Sequence, residues 1–284
     1  IGELYKEAVT LAEKYSVELE VLYDYAKYLY GQNRHSEAIE YACKLEGFYG
    51  DTEDADGIKG AALYNLLGLS YSDTQRYKEA EECYNKTLEI CKRLVAANPA
   101  AYELEIVTTY NNLGNIYRVT RQVQKAEECY TMALDKFKKL VAANSAAYEP
   151  YLATTYNNLG VLYSDVQRYG ESERCYIDAL EIYKRLTKMN PVAYDSYLAM
   201  VYNNLSILYQ TMRSYKEAEE YCSGALGIYE RLAATNPAAY EPTLATTYNN
   251  LGNLYYVSRK YKEAEWYYIK ALGIRKRLVR LNPT

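Results

Sequence analysis

The sequence predicts an all-α, right-handed solenoid of about six helix hairpins preceded by one N-terminal helix, and three observations predict it. Tyr64, Tyr110, Tyr156, Tyr202 and Tyr248 recur every 46 residues, and each opens a copy of Tyr-Asn-Asn-Leu-Gly or a near variant. A fixed period of that order marks a stacked repeat. Leu152, Tyr156, Leu159 and Tyr163 have 4-3-4 spacing, which aligns them on one stripe at 3.6 residues per turn. Connectors of the Asn-Pro-Ala-Ala-Tyr kind fall at 98–102, 144–148, 190–194 and 236–240.

In chain order, 1–16 reads as the second helix of a truncated repeat, because Tyr5-Lys6-Glu7-Ala8 returns at 77–80, 215–218 and 261–264. Residues 17–57 form a degenerate repeat broken at Gly31-Gln32-Asn33-Arg34, and a glycine- and acid-rich loop over 50–57 ends it. Regular repeats occupy 58–101, 102–147, 148–193, 194–239 and 240–284. A solenoid grows by stacking rather than by enlarging one core, so 1–284 is read as a single domain.

The second helix of the 148–193 repeat carries Tyr169, Tyr176, Ala179 and Tyr183 on its own stripe, with small Gly160 and Ser172 where the two helices cross. In the connectors, Asn is expected to close a helix in the left-handed conformation and Pro to stop it. Glu149-Pro150 and Glu241-Pro242 are expected to restart the next helix. Lys92-Arg93, Lys184-Arg185 and Lys276-Arg277 are read as complements to the helix dipole in the last turns of second helices.

Composition narrows the function classes. The chain has 284 residues, net charge -4 and no long apolar run, which gives no basic face for nucleic acid and no membrane span. Tyrosine is used 37 times against two Phe and one Trp, and fills the aromatic core slots. Cys83, Cys129 and Cys175 sit at equivalent points of successive repeats, too far apart for disulfides and without zinc-ligand spacing, so free thiols in a reducing, cytoplasmic setting are expected. His35 is read as a turn residue, and Glu81-Glu82, Glu127-Glu128 and Glu219-Glu220 as solvated face. With no catalytic set and no phosphate loop, neither an enzyme nor a cofactor is expected.

Tyr110, Leu113, Gly114 and Tyr117, followed by Ala126, Tyr130 and Ala133, match the pattern of the tetratricopeptide repeat, as do Tyr248, Leu251, Gly252, Tyr255, Ala264, Tyr268 and Ala271. The chain resembles that family over nearly its whole length. Its long period and Asn-Asn-Leu-Gly core resemble the kinesin-light-chain-like repeats and their bacterial relatives, although the connector differs. The resemblance implies a non-catalytic scaffold whose first helices line a concave groove for an extended peptide or partner protein.

At 100° per residue Asn157 lies roughly 130° from the apolar stripe. Its equivalents give a ladder of Asn65, Asn111, Asn157, Asn203 and Asn249, joined on the same stripe by Asn115, Arg118, Asn253 and Tyr256. A carboxamide can pair with both the N–H and the C=O of an extended backbone, so the ladder is the candidate ligand grip. The second asparagines (Asn112, Asn158, Asn204, Asn250) are read as pointing toward an adjacent helix. Two other functions stay open. One is a peptide sensor regulating an attached effector domain, and the other is an assembly module stacking head to tail through uncapped ends.

Overall fold

The computed structural model describes residues 19–49, 57–96 and 99–281. The helix expected over 1–16 and most of the 50–57 loop lie outside them. Twelve helices make up the described residues, with no strands among them: α1 (Leu19–Gly31), α2 (His35–Tyr49), α3 (Ile58–Asp73), α4 (Tyr77–Leu94), α5 (Pro99–Val119), α6 (Val123–Ala143), α7 (Ser145–Asp165), α8 (Tyr169–Met189), α9 (Pro191–Thr211), α10 (Tyr215–Thr235), α11 (Pro237–Val257) and α12 (Tyr261–Leu281).

The chain forms two compact units, 1–136 and 137–284. In the first, α1 to α5 pack in chain order, each on the next; in the second, α7 to α12 do the same. This is the all-α hairpin stacking that the repeat predicts.

Each hairpin turns on a residue with left-handed backbone: Asn33, Gln75, Arg121, Gln167, Arg213 and Arg259 have φ between 58° and 64°. At Gln167 the Arg168 N–H bonds to the Tyr163 carbonyl (2.8 Å) and the Gln167 N–H to that of Ser164 (3.1 Å), the two bonds of a Schellman closure. The Arg168 guanidinium then lies over the Tyr163 ring, 4.3 Å from its centroid, as Arg76 lies over Tyr71 at 4.4 Å.

The left-handed positions are therefore inside the hairpins, which corrects the expectation for the connector asparagines. Asn144, Asn190 and Asn236 are extended, with φ of −152°, −145° and −140°. Their side chains accept from the N–H of Ala147 (3.4 Å), Ala193 (3.2 Å) and Ala239 (3.2 Å), so each opens the following helix as its N-cap. For the same reason the helices begin at Ser145 and Pro237, and Pro150 and Pro242 lie inside them rather than restarting them.

Polar staples join the stacked helices at fixed offsets. Tyr117, Tyr209 and Tyr255 donate to Glu81 (2.8 Å), Glu173 (2.5 Å) and Glu219 (2.6 Å) of the preceding second helix. Glu81 and Glu219 are thus interface acceptors, which corrects their reading as solvated face; their neighbours Glu82 and Glu220 are exposed. Lys92-Arg93 lies in the last turn of α4 as expected, whereas the pairs at 184–185 and 276–277 are corrected, since Lys188 and Arg280 hold the last turns of α8 and α12. Arg185 and Arg277 reach back to Glu149 (2.8 Å) and Glu241 (2.6 Å) at the start of the same hairpin, and Arg231 does so to Asp195. Lys92 and Lys184 lie over the leading rings Tyr110 and Tyr202 of the next first helix.

Candidate partner-binding face

The stripe identified from the sequence is carried by the first helices of the hairpins, and each unit presents its own part. In the first unit, Asn65 of α3 and Asn111, Asn115 and Arg118 of α5 are half-buried. The Asn115 Oδ1 accepts from the Tyr130 hydroxyl at 2.7 Å, while the Asn65 Oδ1 is buried without a hydrogen-bond partner.

In the second unit the stripe divides. Asn157 is 3% exposed and its Oδ1 accepts from the Nδ2 of Asn204 on the next first helix, at 2.8 Å. Asn203 is 9% exposed and its Nδ2 donates to Thr247 Oγ1 at 3.0 Å; Thr247 passes its own proton to the Thr243 carbonyl. The Oδ1 of Asn203 is buried and unpaired. On α11, by contrast, Asn249 is half-buried, and Asn253 and Tyr256 are exposed. Asn253 Oδ1 accepts from the Tyr268 hydroxyl (2.8 Å), and Tyr256 meets Tyr261 edge-on at 5.7 Å.

Asn157 and Asn203 therefore already spend part of their bonding between helices. A single-helix wheel places them away from the apolar stripe but cannot show that the next first helix packs against that side. The Asn204 bond agrees with the reading of the second asparagine as facing a neighbouring helix.

Chemistry away from this face is sparse among the described residues. All six cysteines are free, and burial pushes the Cys83 and Cys175 thiols up to about 12 and those of Cys91, Cys129 and Cys222 to about 11. Thiols so protonated are poor nucleophiles. Among the described residues no group of His, Cys, Asp or Glu is placed to hold a metal. His35 opens α2 with Nδ1 at 3.7 Å from Asp73 and its ring against Tyr30, a junction between hairpins. No helix among the described residues is long and apolar enough to cross a membrane.

Two tetratricopeptide repeat models match the chain, one over 105–185 and 197–277 and one over 61–99, more than half of its length. The chain belongs to the tetratricopeptide repeat family. It matches no curated protein sequence. Among solved structures, BtubC (BKLC) from P. vanneervenii is 24% identical with a TM-score of 0.64, over 87% of this chain and 90% of that one. A signal transduction ATPase with numerous domains from Pyrococcus horikoshii, a protein with a tetratricopeptide repeat sensor, gives 15% identity and a TM-score of 0.68, over 97% of this chain and 40% of that one. Aspartyl phosphate phosphatase F from Bacillus subtilis gives 13% and 0.64, over 94% and 74%. At these identities the likeness is one of fold.

Membership of the tetratricopeptide repeat family explains the Tyr, Leu and Gly of the repeat core. It does not explain the inter-helix staples, which sequence reading missed. Their signal was present as a fixed offset of 36 residues between Glu and Tyr, and again between acid and Arg.

Proposed function

We propose that the chain is a non-catalytic scaffold that holds a partner protein or an extended peptide on the accessible side of its first helices. The observation that carries this reading is the group on α11, where half-buried Asn249 and exposed Asn253 and Tyr256 share one stripe, with Ile207 exposed at the position on α9 equivalent to Asn253. Carboxamides next to an exposed ring and an aliphatic chain offer backbone pairing with modest side-chain preference. Asn65, Asn111, Asn115 and Arg118 serve the first unit in the same way. Asn157 and Asn203 lie beneath this layer and fix the distance between neighbouring first helices.

The division of roles has a direct test. Asn157→Ala leaves the Asn204 amide without its acceptor, and should lower Tm while leaving the affinity for a library-selected peptide within about twofold. The combined Asn249→Ala, Asn253→Ala and Tyr256→Ala variant should do the reverse. If instead Asn157→Ala weakened binding at unchanged Tm, the buried asparagines would be the ligand contacts.

A second reading is favoured by the outer side of α12. Leu272 is 51% exposed, whereas its equivalent Leu180 is 3% exposed. Glu265 stands where Glu173 and Glu219 accept a tyrosine hydroxyl. Another helix of the first-helix type would cover this face, and self-association is one source of it. Sedimentation showing a monomer at all concentrations would remove that reading.

A further inference from the structure

Between the N-terminal halves of α7 and α9 lies a cleft of about 310 Å³. Pro150, Tyr151 and Thr154 line it from α7, Tyr194 and Tyr197 from α9, and Tyr183 reaches in from α8. The rings form two parallel stacks, Phe137 on Tyr151 (5.7 Å, 11°) and Tyr183 on Tyr197 (5.5 Å, 11°). Tyr183 is pinned by its hydroxyl, which meets the Thr154 hydroxyl at 2.7 Å and donates to the Pro150 carbonyl at 3.2 Å.

Tyr151 and Tyr197, by contrast, leave 42% and 44% of their surface to solvent. Among the described residues the hydroxyls of Tyr151, Tyr194 and Tyr197 make no hydrogen bond. Pro150 has no N–H to return to the Ala146 carbonyl, so that acceptor at the cleft edge is not used by the α-helical ladder.

The cleft is uncharged. The acids nearest in sequence, Glu149 and Asp195, are buried and held by Arg185 and Arg231. A charged side chain entering here would lose hydration without gaining a counter-ion. A flexible aliphatic chain would lose rotamer freedom for a shallow contact. A polyproline II segment arrives already ordered, lays flat pyrrolidine rings on aromatic faces, and carries carbonyls with no internal partner for tyrosine hydroxyls. The equivalent positions between α9 and α11 hold Ser196 for Pro150, Met200 for Thr154 and Thr243 for Tyr197, so the arrangement is local to this pair of helices.

We propose that this cleft is a subsite for a proline-rich, uncharged, extended segment of a partner protein. Tyr151 and Tyr197 supply the ring faces, and the hydroxyls of Tyr151, Tyr194 and Tyr197 donate to its carbonyls. The inference rests on the scaffold reading above and names the chemistry of one part of the ligand.

The test is calorimetric titration of the full chain with three capped peptides of equal length: oligoproline, a Gly-Ser repeat, and oligoproline with alternate residues replaced by lysine. Oligoproline should bind at least about tenfold tighter than either of the others. Tyr151→Ala and Tyr197→Ala should each weaken it by about tenfold, the loss of one buried aromatic anchor. Trp266→Ala, an exposed ring on α12, should leave it unchanged. Because the alanine variants remove stacking partners, Tyr151→Phe and Tyr197→Phe provide a second readout, expected near threefold weaker through the hydroxyl alone. Equal binding of the Gly-Ser peptide, tighter binding of the lysine peptide, or unchanged affinity in all four variants would overturn the proposal. Library-selected peptides that depend on α11 but ignore Tyr151 and Tyr197 would also overturn it while leaving the scaffold standing, whereas no binding peptide of any kind would remove both.

Discussion

The Tyr176 ring occupies the space that a side chain on Gly160 would fill: a Cβ built on Gly160 stands 2.7 Å from that ring. The same pairing holds for Gly68 with Tyr84, Gly114 with Tyr130 and Gly252 with Tyr268, each at 2.6 Å. In the one hairpin where Ser206 replaces the glycine, Cys222 replaces the tyrosine, and the serine hydroxyl donates to the Ala218 carbonyl at 2.9 Å. Bulk removed from one helix is returned by the other.

That exchange predicts a coupling. Gly160→Ala gains about 1 kcal/mol of helix propensity. Tyr176 is almost fully buried and has nowhere to move, so overpacking of about 2–3 kcal/mol wins and the variant is destabilised by about 1–2 kcal/mol. Adding Tyr176→Cys to Gly160→Ser should cost less than the sum of the two single changes by about 1 kcal/mol or more in a denaturation cycle. Simple additivity would show that the two positions do not share space.

The hairpin turns predict a gain. Gln167 has φ of 63°, a conformation that costs a residue with a Cβ about 1 kcal/mol and glycine almost nothing. After the added entropy of glycine in the unfolded chain, Gln167→Gly should stabilise by about 0.5 kcal/mol. Gln167→Val should destabilise by more than 1 kcal/mol, since a β-branched residue resists positive φ. Urea denaturation of the two variants measures both.

Asp195 predicts an asymmetry between two ends of one ion pair. It is buried, its Oδ2 is held by Arg231, and its Oδ1 has no hydrogen-bond partner. Arg231→Ala leaves a buried carboxylate uncompensated and should cost about 1–3 kcal/mol, reduced from the fully buried case because the arginine itself is largely exposed. Asp195→Asn in the Arg231→Ala background should recover part of that loss. No recovery would mean that Arg231 acts through packing alone.

The buried thiols and tyrosines predict an alkaline limit. Cys83 and Cys175 are raised from 9.0 to about 12, Cys222 from 9.0 to about 11, and Tyr229 from 10.0 to about 12, desolvation being the first cause for each. A group raised in the folded state contributes its full stability below its unfolded pKa and loses it as pH rises through the folded value. Tm should therefore be flat to about pH 9 and fall between 9 and 12, with each fully buried group withdrawing up to about 1.4 kcal/mol per pH unit. Cys222→Ala should soften the fall.

How much of this was legible in the sequence depends on the range of the interaction. Tyr156, Leu159 and Tyr163 announce a helix face through spacing alone, and the 46-residue step announces stacking, so hairpins and their order could be read directly. Which side of a first helix stays open could not. Asn157 and Asn253 fall on the same stripe of a helical wheel, yet Asn157 is buried and bonded to Asn204 of the next first helix whereas Asn253 is exposed. The connector asparagines are ambiguous in the sequence for a related reason. Asn favours both left-handed closure and N-capping, and only the backbone at Asn190, with φ of −145° and a bond from Ala193, separates the two.

The central claim is that partners meet the accessible side of the first helices, and site-specific photo-crosslinking tests it most directly. A benzophenone side chain is placed at Asn253 on that side of α11 or at Glu220 on the outer face of α10, both exposed. Each protein is irradiated with a peptide selected from a random library against the unmodified chain. Crosslinking from position 253 and none from position 220 is the predicted result. Capture from 220 with none from 253 would contradict the account.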